Sequence, residues 1–103
     1  VDGFRIDAAK HIPEGDLQAI LSRLKNVYPA WGGGKPYIFQ EVIADSTIST
    51  GSYTHLGSVT ESQYHRDISH AFANGNIAHL TGLGSGLTPS DKAVVYVDNH
   101  DTE

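Results

Sequence analysis

The chain has 103 residues, 39% of them hydrophobic and 18% charged, a composition that builds a folded core and excludes a disordered chain. Seven Lys and Arg against twelve Asp and Glu leave a formal net charge of −5; with no basic stripe the sequence is a poor partner for nucleic acid, whose phosphates need clustered cations. The absence of cysteine excludes a disulfide framework or thiolate metal site in these residues, and no apolar run approaches the roughly 18 residues that would span a membrane.

The chain opens on Val1-Asp2-Gly3-Phe4-Arg5-Ile6-Asp7-Ala8-Ala9-Lys10-His11, an apolar run that holds one arginine and one aspartate two residues apart. In a strand such residues share a face, so Arg5 would hold Asp7 ionised beside it. Taken alone, the pair reads first as a structural ion pair on a strand. Ile12 to Asp16 reads as a loop, with Asp16 as the N-cap of a helix that runs to about Asn26 and carries Leu17, Ile20, Leu21 and Leu24 on one face. The glycines and prolines between Tyr28 and Pro36 break that helix and leave a surface loop.

Tyr37 to Ile43 is a second apolar run of strand length, with Glu41 in its C-terminal half. Ala44 to Gly57, rich in Ser, Thr and Gly, reads as a long loop over the face where the acids gather. Ser58 to Glu61 is at most a very short strand, and Glu61 to about Phe72 is a helix with Tyr64, Ile68, Ala71 and Phe72 at helical spacing. Ile77 to Leu83 allows another helical turn or two. Ala93 to Val97 is a third continuous apolar strand, which ends in Asp98-Asn99-His100-Asp101. His55, His65, His70 and His79 form no metal-ligand spacing and are assigned to loop or helix surfaces.

Strands alternating with crossovers of more than a dozen residues imply right-handed βαβ units and a parallel sheet. Asp7, Glu41 and Asp101 then each lie at or just past the C-terminal end of a strand, the edge at which a parallel α/β barrel assembles its site. Two carboxylates in opposite protonation states suit the hydrolysis of a glycosidic bond, one attacking the anomeric carbon and the other protonating the leaving oxygen. Arg5 keeps Asp7 charged for the first role, and the apolar neighbours Phe39, Val42 and Ile43 favour a protonated Glu41 for the second. Asp101 is left to stabilise positive charge on the sugar ring, and His100 to donate a hydrogen bond to it.

Gly3-Phe4-Arg5-Ile6-Asp7-Ala8-Ala9-Lys10-His11, Phe39-Gln40-Glu41-Val42-Ile43 and Val97-Asp98-Asn99-His100-Asp101 resemble the second, third and fourth signature regions of the α-amylases of glycoside hydrolase family 13, in the right order. The resemblance covers essentially the whole chain. It implies an α/β fold, namely a partial (β/α)8 TIM barrel of about strands four to seven, with residues 1–103 forming the central part of a catalytic domain. It implies Asp7 as nucleophile, Glu41 as proton donor and Asp101 as transition-state stabiliser. Arg5 then orients the nucleophile, His100 binds the sugar at the cleavage subsite, and Lys10 and His11 line the side of the leaving group. The carbonyl of His11 corresponds to a ligand of a structural calcium, which is chemically apt because Ca²⁺ takes oxygen donors. Arg5 and Asn99 correspond to two residues that hold a chloride in one branch of the family.

The activity so implied is retaining endo-hydrolysis of α-1,4-glucosidic bonds in starch and related glucans, by a secreted protein that is a monomer at full length. An α-glucosidase or glucanotransferase of the same fold, and a non-catalytic barrel used as a binding subunit, are the alternatives; Lys10-His11 favours the first reading and the presence of all three acids disfavours the last. A start inside an apolar run, with no methionine anywhere, gives the expectation of an internal piece of a longer protein, inactive and poorly folded by itself.

Overall fold

The computed structural model describes residues 1–102, and in it four parallel strands form one sheet in the order β1-β2-β3-β4. They are β1 (Gly3–Ile6), β2 (Tyr37–Gln40), β3 (Ser58–Thr60) and β4 (Ala93–Val94). β1 and β2 pair along four residues, from Gly3 opposite Tyr37 to Ile6 opposite Gln40. β3 pairs with β2 through Ser58 and Val59, and with β4 through Val59 and Thr60. The very short strand expected at Ser58 is therefore a full member of the sheet, and it links the two halves. β1 connects to β2 through helix α1 (Glu14–Ser22), and β3 to β4 through helix α2 (Ser62–Ala73).

Two close approaches set the strand spacing around β2. A Cβ at Gly3 would meet the Tyr37 carbonyl oxygen at 2.6 Å, and one at Gly57 would meet that of Ile38 at the same distance. Only glycine lets both flanking chains come this near.

Helix α1 differs from the sequence expectation at both ends. It begins at Glu14, not Asp16: the carbonyl of Pro13 accepts the N–H groups of Asp16 and Leu17, both at 3.0 Å, and proline's fixed φ already suits a helix start. Asp16 and Glu14 instead place negative charge in the first turn, where the helix dipole favours it. The helix stops at Ser22, where the Lys35 ammonium donates to the carbonyls of Ser22 and Leu24 and so caps its C-terminal end. Of the expected apolar stripe, Leu17 is buried and Leu21 packs on the core, whereas Ile20 is exposed and Leu24 lies beyond the helix. Helix α2 matches its expected span within a residue, and the Glu61 carboxylate caps it by accepting the N–H of Gln63 at 2.9 Å. Ala71 faces inward as expected, but Phe72 is exposed.

The core lies behind the sheet, where Ala9, Leu17, Val42, Tyr53 and Val59 are buried together, with Ile6, Ile12, Leu21, Ile48 and Leu56 against them. Burying one such aliphatic side chain contributes about 2 kcal/mol. The third expected strand, Ala93 to Val97, is ordered as strand only at Ala93 and Val94. β4 pairs on one side with a strand of three residues, and Val95 and Val97 beyond it stay exposed. The Cα radius of gyration is 15.7 Å, wider than the about 13 Å of a compact domain of 100 residues. No helix among the described residues is long and apolar enough to cross a membrane.

Candidate active site

The face of the sheet opposite the core carries a cleft of about 150 Å³, lined by Arg5, Phe39, Glu41, Ile43, Thr60, Val94, Tyr96, Asn99 and His100. Most of these come from the strands and the residues that follow them, and they repeat at every second position: Phe39, Glu41 and Ile43 along one, Val94 and Tyr96 along another. This is the side-chain alternation of extended chain, one face to the cleft and the next to the core. Val42 and Val59, the intervening residues, are buried on the other side.

Glu41 follows β2 directly and is fixed on all sides. Its N–H donates to the Ile6 carbonyl and its own carbonyl accepts from Ala9, both at 2.9 Å, which continues the β1–β2 ladder past the strands. Its Oε2 accepts the Ala8 N–H at 2.9 Å, and its Oε1 lies 3.4 Å from Arg5 Nη2. Ala8 supplies its N–H from a left-handed backbone, φ 45° and ψ 40°, a conformation costing a non-glycine residue about 1–2 kcal/mol. Strain at this position turns the chain so that two successive amides, those of Ala8 and Ala9, meet the glutamate residue.

The other Arg5 nitrogen, Nη1, bonds Asp7 Oδ1. One guanidinium thus holds a carboxylate from the end of β1 and another from the end of β2. The side chains two apart do share a face, as the sequence predicts. Their environments differ: the Glu41 side chain is 12% exposed and that of Asp7 69%. Asp7 stands outside the cleft lining and is tied in through Arg5.

Asn99 and His100 line the same cleft, and Asp101 is reached through His100, whose Nε2 lies 3.5 Å from Asp101 Oδ2. Asp101 is seven residues beyond the end of β4, farther than the expected place at or just past a strand end, because the strand stops at Val94 rather than Val97. The segment is held by local hydrogen bonds. Asp98 Oδ1 accepts the Asn99 N–H at 2.9 Å and the Thr102 hydroxyl, and Asn99 Oδ1 accepts the Asp101 N–H at 2.9 Å. The Thr102 hydroxyl and the Asn99 N–H hold the Asp98 carboxyl below the usual carboxylate range.

Lys10 points away from the carboxylate pair and meets Asp45 at 3.1 Å; the His11 side chain is exposed. Both lie on the turn Ala9–His11 that follows Asp7. Asp45 is held well below the ordinary aspartate range by the Thr47 N–H and hydroxyl, the Ile48 N–H and the Lys10 ammonium.

The described residues contain no group of three or more His, Cys, Asp or Glu side chains that could hold a metal ion. Ca²⁺ takes six to eight oxygens, so the His11 carbonyl does not make a calcium site from these residues alone. Arg5 and Asn99 both line the cleft, and the two terminal nitrogens of Arg5 are engaged by Asp7 and Glu41.

Thr60 and Tyr96 escaped the sequence reading, although alternation along β3 and past β4 marks both. The Thr60 hydroxyl accepts the Val42 N–H at 3.2 Å and so steadies the backbone just after Glu41. The Tyr96 ring stacks on His65 with centroids 5.2 Å apart, and His65 Nδ1 contacts the Val97 carbonyl, an inward role for a histidine assigned to the surface. Burial pushes the Tyr96 phenol above its ordinary value against the pull of Arg66, and the Glu41, Glu61 and Asp101 carboxylates add to the rise, so it stays neutral. The role of the Ala8 amide has no signal in the sequence.

No protein-family model matches the chain. It is 94% identical over all 103 residues to an α-amylase of Thermomonospora curvata, of which it covers 17%, and 44% identical over its whole length to an α-amylase of Tenebrio molitor, of which it covers 24%. A crystal structure of a mutant α-amylase I from Eisenia fetida in complex with maltohexaose superposes on 97% of the chain with a TM-score of 0.86 and 38% identity, and the chain covers 22% of it. The chain spans about a fifth of the length of these relatives. In sequence and in fold the chain is therefore similar to one stretch of the α-amylases, which are glycoside hydrolases, and its four-stranded parallel sheet is consistent with part of their (β/α)8 barrel.

Proposed function

We propose that this segment is the central part of a catalytic barrel and carries the acids of a retaining α-1,4-glucan endo-hydrolase. The observation that carries the reading is Arg5, whose guanidinium bridges Asp7 and Glu41 across the ends of two adjacent strands. Retaining glycosidases need two carboxyl groups about 5–5.5 Å apart, and a shared guanidinium supports such a spacing. The likeness to α-amylases, one of them in complex with maltohexaose, supports an α-glucan as substrate.

In the first step an Asp7 oxygen attacks the anomeric carbon as the glycosidic bond breaks, and Glu41 passes its proton to the leaving oxygen. In the second, Glu41 takes a proton from water, whose oxygen attacks the same carbon and releases Asp7. His100 donates a hydrogen bond to the bound sugar and Asp101 stabilises the developing positive charge. Lys10 and His11 line the leaving-group side. Arg5 and Asn99 would hold a chloride, which would supply a fixed negative charge beside the guanidinium. The His11 carbonyl would give one oxygen to a calcium ion completed by residues elsewhere. The whole protein acts as a secreted monomer, and the wide radius of gyration supports poor folding of the segment by itself.

The test is starch hydrolysis by the whole polypeptide that carries this segment, with Asp7→Asn and Glu41→Gln. Each variant should lose at least about a thousandfold in kcat/KM, about 4 kcal/mol of transition-state stabilisation, with an unchanged melting temperature. A near-normal rate in either would remove its assigned role.

A further inference from the structure

The loop from Ala44 to Gly57 is fastened to the turn behind Asp7 by one buried side chain. Tyr53, 3% exposed, lies within the core cluster, and its hydroxyl donates to the Ile12 carbonyl at 2.9 Å and approaches the Lys10 carbonyl at 3.5 Å. These two carbonyls bracket His11. The Tyr53 backbone is fixed in turn by Gln40, the buried residue just before Glu41, whose Nε2 donates to the Tyr53 carbonyl at 3.0 Å. A second tie, Lys10 to Asp45, joins the same turn to the start of the same loop. A continuous path therefore runs from β2 at Gln40 through Tyr53 to the turn that carries Lys10 and His11. The ring also packs in the core, so ring and hydroxyl have separable duties.

We propose that Tyr53 is a positioning residue, whose hydroxyl sets the height of the Lys10-His11 turn above Glu41 and so shapes the part of the site that receives the leaving-group end of a glucan. This rests on the reading of Lys10 and His11 as lining that side. The long loop, expected over the face where the acids gather, contributes no residue to the cleft lining and instead packs Ile48, Tyr53 and Leu56 into the core, so Tyr53 holds the turn from behind.

The test is Tyr53→Phe in the whole polypeptide, which keeps the ring and removes the hydroxyl. Two substrates separate the outcomes: amylose, with sugars on both sides of the cleaved bond, and a nitrophenyl maltotrioside, whose leaving group is nitrophenol and reaches no further sugar subsite. Tyr53→Phe should raise KM for amylose about five- to tenfold, with the nitrophenyl substrate unchanged within about twofold. A Lys10→Ala variant should shift amylose in the same sense, and the double variant should lose less than the product of the two single losses, as coupled residues do. Tyr53→Phe with normal constants on both substrates, or with equal losses on both, would overturn the proposal; equal losses with a lowered melting temperature would mark a purely structural tyrosine. If Lys10→Ala leaves amylose untouched, the placement of Lys10 fails, and the two-substrate profile of Tyr53→Phe still decides the tyrosine's role.

Discussion

The two ends of the sheet are built by different means. At the β1–β2 end, a four-residue register continues through the Glu41 and Ala9 amides, and Leu17, Val42 and Tyr53 press on it from behind. At the β4 end two residues pair, Val95 and Val97 stay open, and residues 98–102 are held chiefly by hydrogen bonds among themselves. The carboxylate pair Asp7 and Glu41 thus depends on contacts between residues far apart in sequence, whereas Asp101 depends on a local turn. Geometry at the first end follows the stability of the sheet. Geometry at the second depends on the Asp98 turn and on the His65 contact to Val97.

The largest expected break in this contrast is catalytic. Arg5→Ala in the whole polypeptide leaves two facing carboxylates without their shared cation, and kcat/KM on starch should fall about a hundredfold or more, while Thr102→Val, which removes only a turn hydrogen bond near Asp101, should cost less than tenfold. Steady-state kinetics on both variants would compare the two ends directly. Next in size is packing: Leu17→Ala should destabilise by about 2–5 kcal/mol because α1 is anchored by that one buried side chain, and Val95→Ala by less than about 1 kcal/mol because the residue is 53% exposed. Chemical unfolding of the two variants measures this. Gly57→Ala should cost about 1–3 kcal/mol, since its Cβ would press on the Ile38 carbonyl and push β3 from β2.

The smallest effect is on pH. The Thr47 and Ile48 amides, the Thr47 hydroxyl and Lys10 lower the Asp45 carboxyl below its ordinary 3.8. A depressed folded value contributes stability that is fully present above the unfolded value and is lost as pH falls below it. The melting-temperature difference between the parent and Asp45→Asn should therefore be constant from pH 7 to pH 5 and shrink below about pH 4.

The sequence made the acids and three of the four strands legible because apolar runs, with the acids at their ends, are local patterns. It under-read β3, whose three residues are too few to show periodicity, and it over-extended β4, because Val95 and Val97 look like strand residues whether or not a neighbour pairs with them. It put the α1 cap on Asp16, whereas the helix starts at Glu14 with Pro13 at the N-cap position and no side-chain cap. Two features of the site needed coordinates. The left-handed Ala8, which aims an amide at Glu41, follows from how the chain must turn after β1. The tie from Tyr53 to the turn at Lys10 and Ile12 joins residues about forty positions apart.

The central claim is that Asp7, tied to Glu41 through Arg5, forms a covalent bond to the sugar. A fluorinated glucosyl fluoride, whose electron-poor ring slows release of the intermediate, should be incubated with the whole polypeptide, followed by peptide mass analysis. The account predicts one added glycosyl group on the peptide that contains Asp7, and no labelling in Asp7→Asn. Label on another carboxylate, or rapid turnover with Asp7 replaced by asparagine, would contradict it.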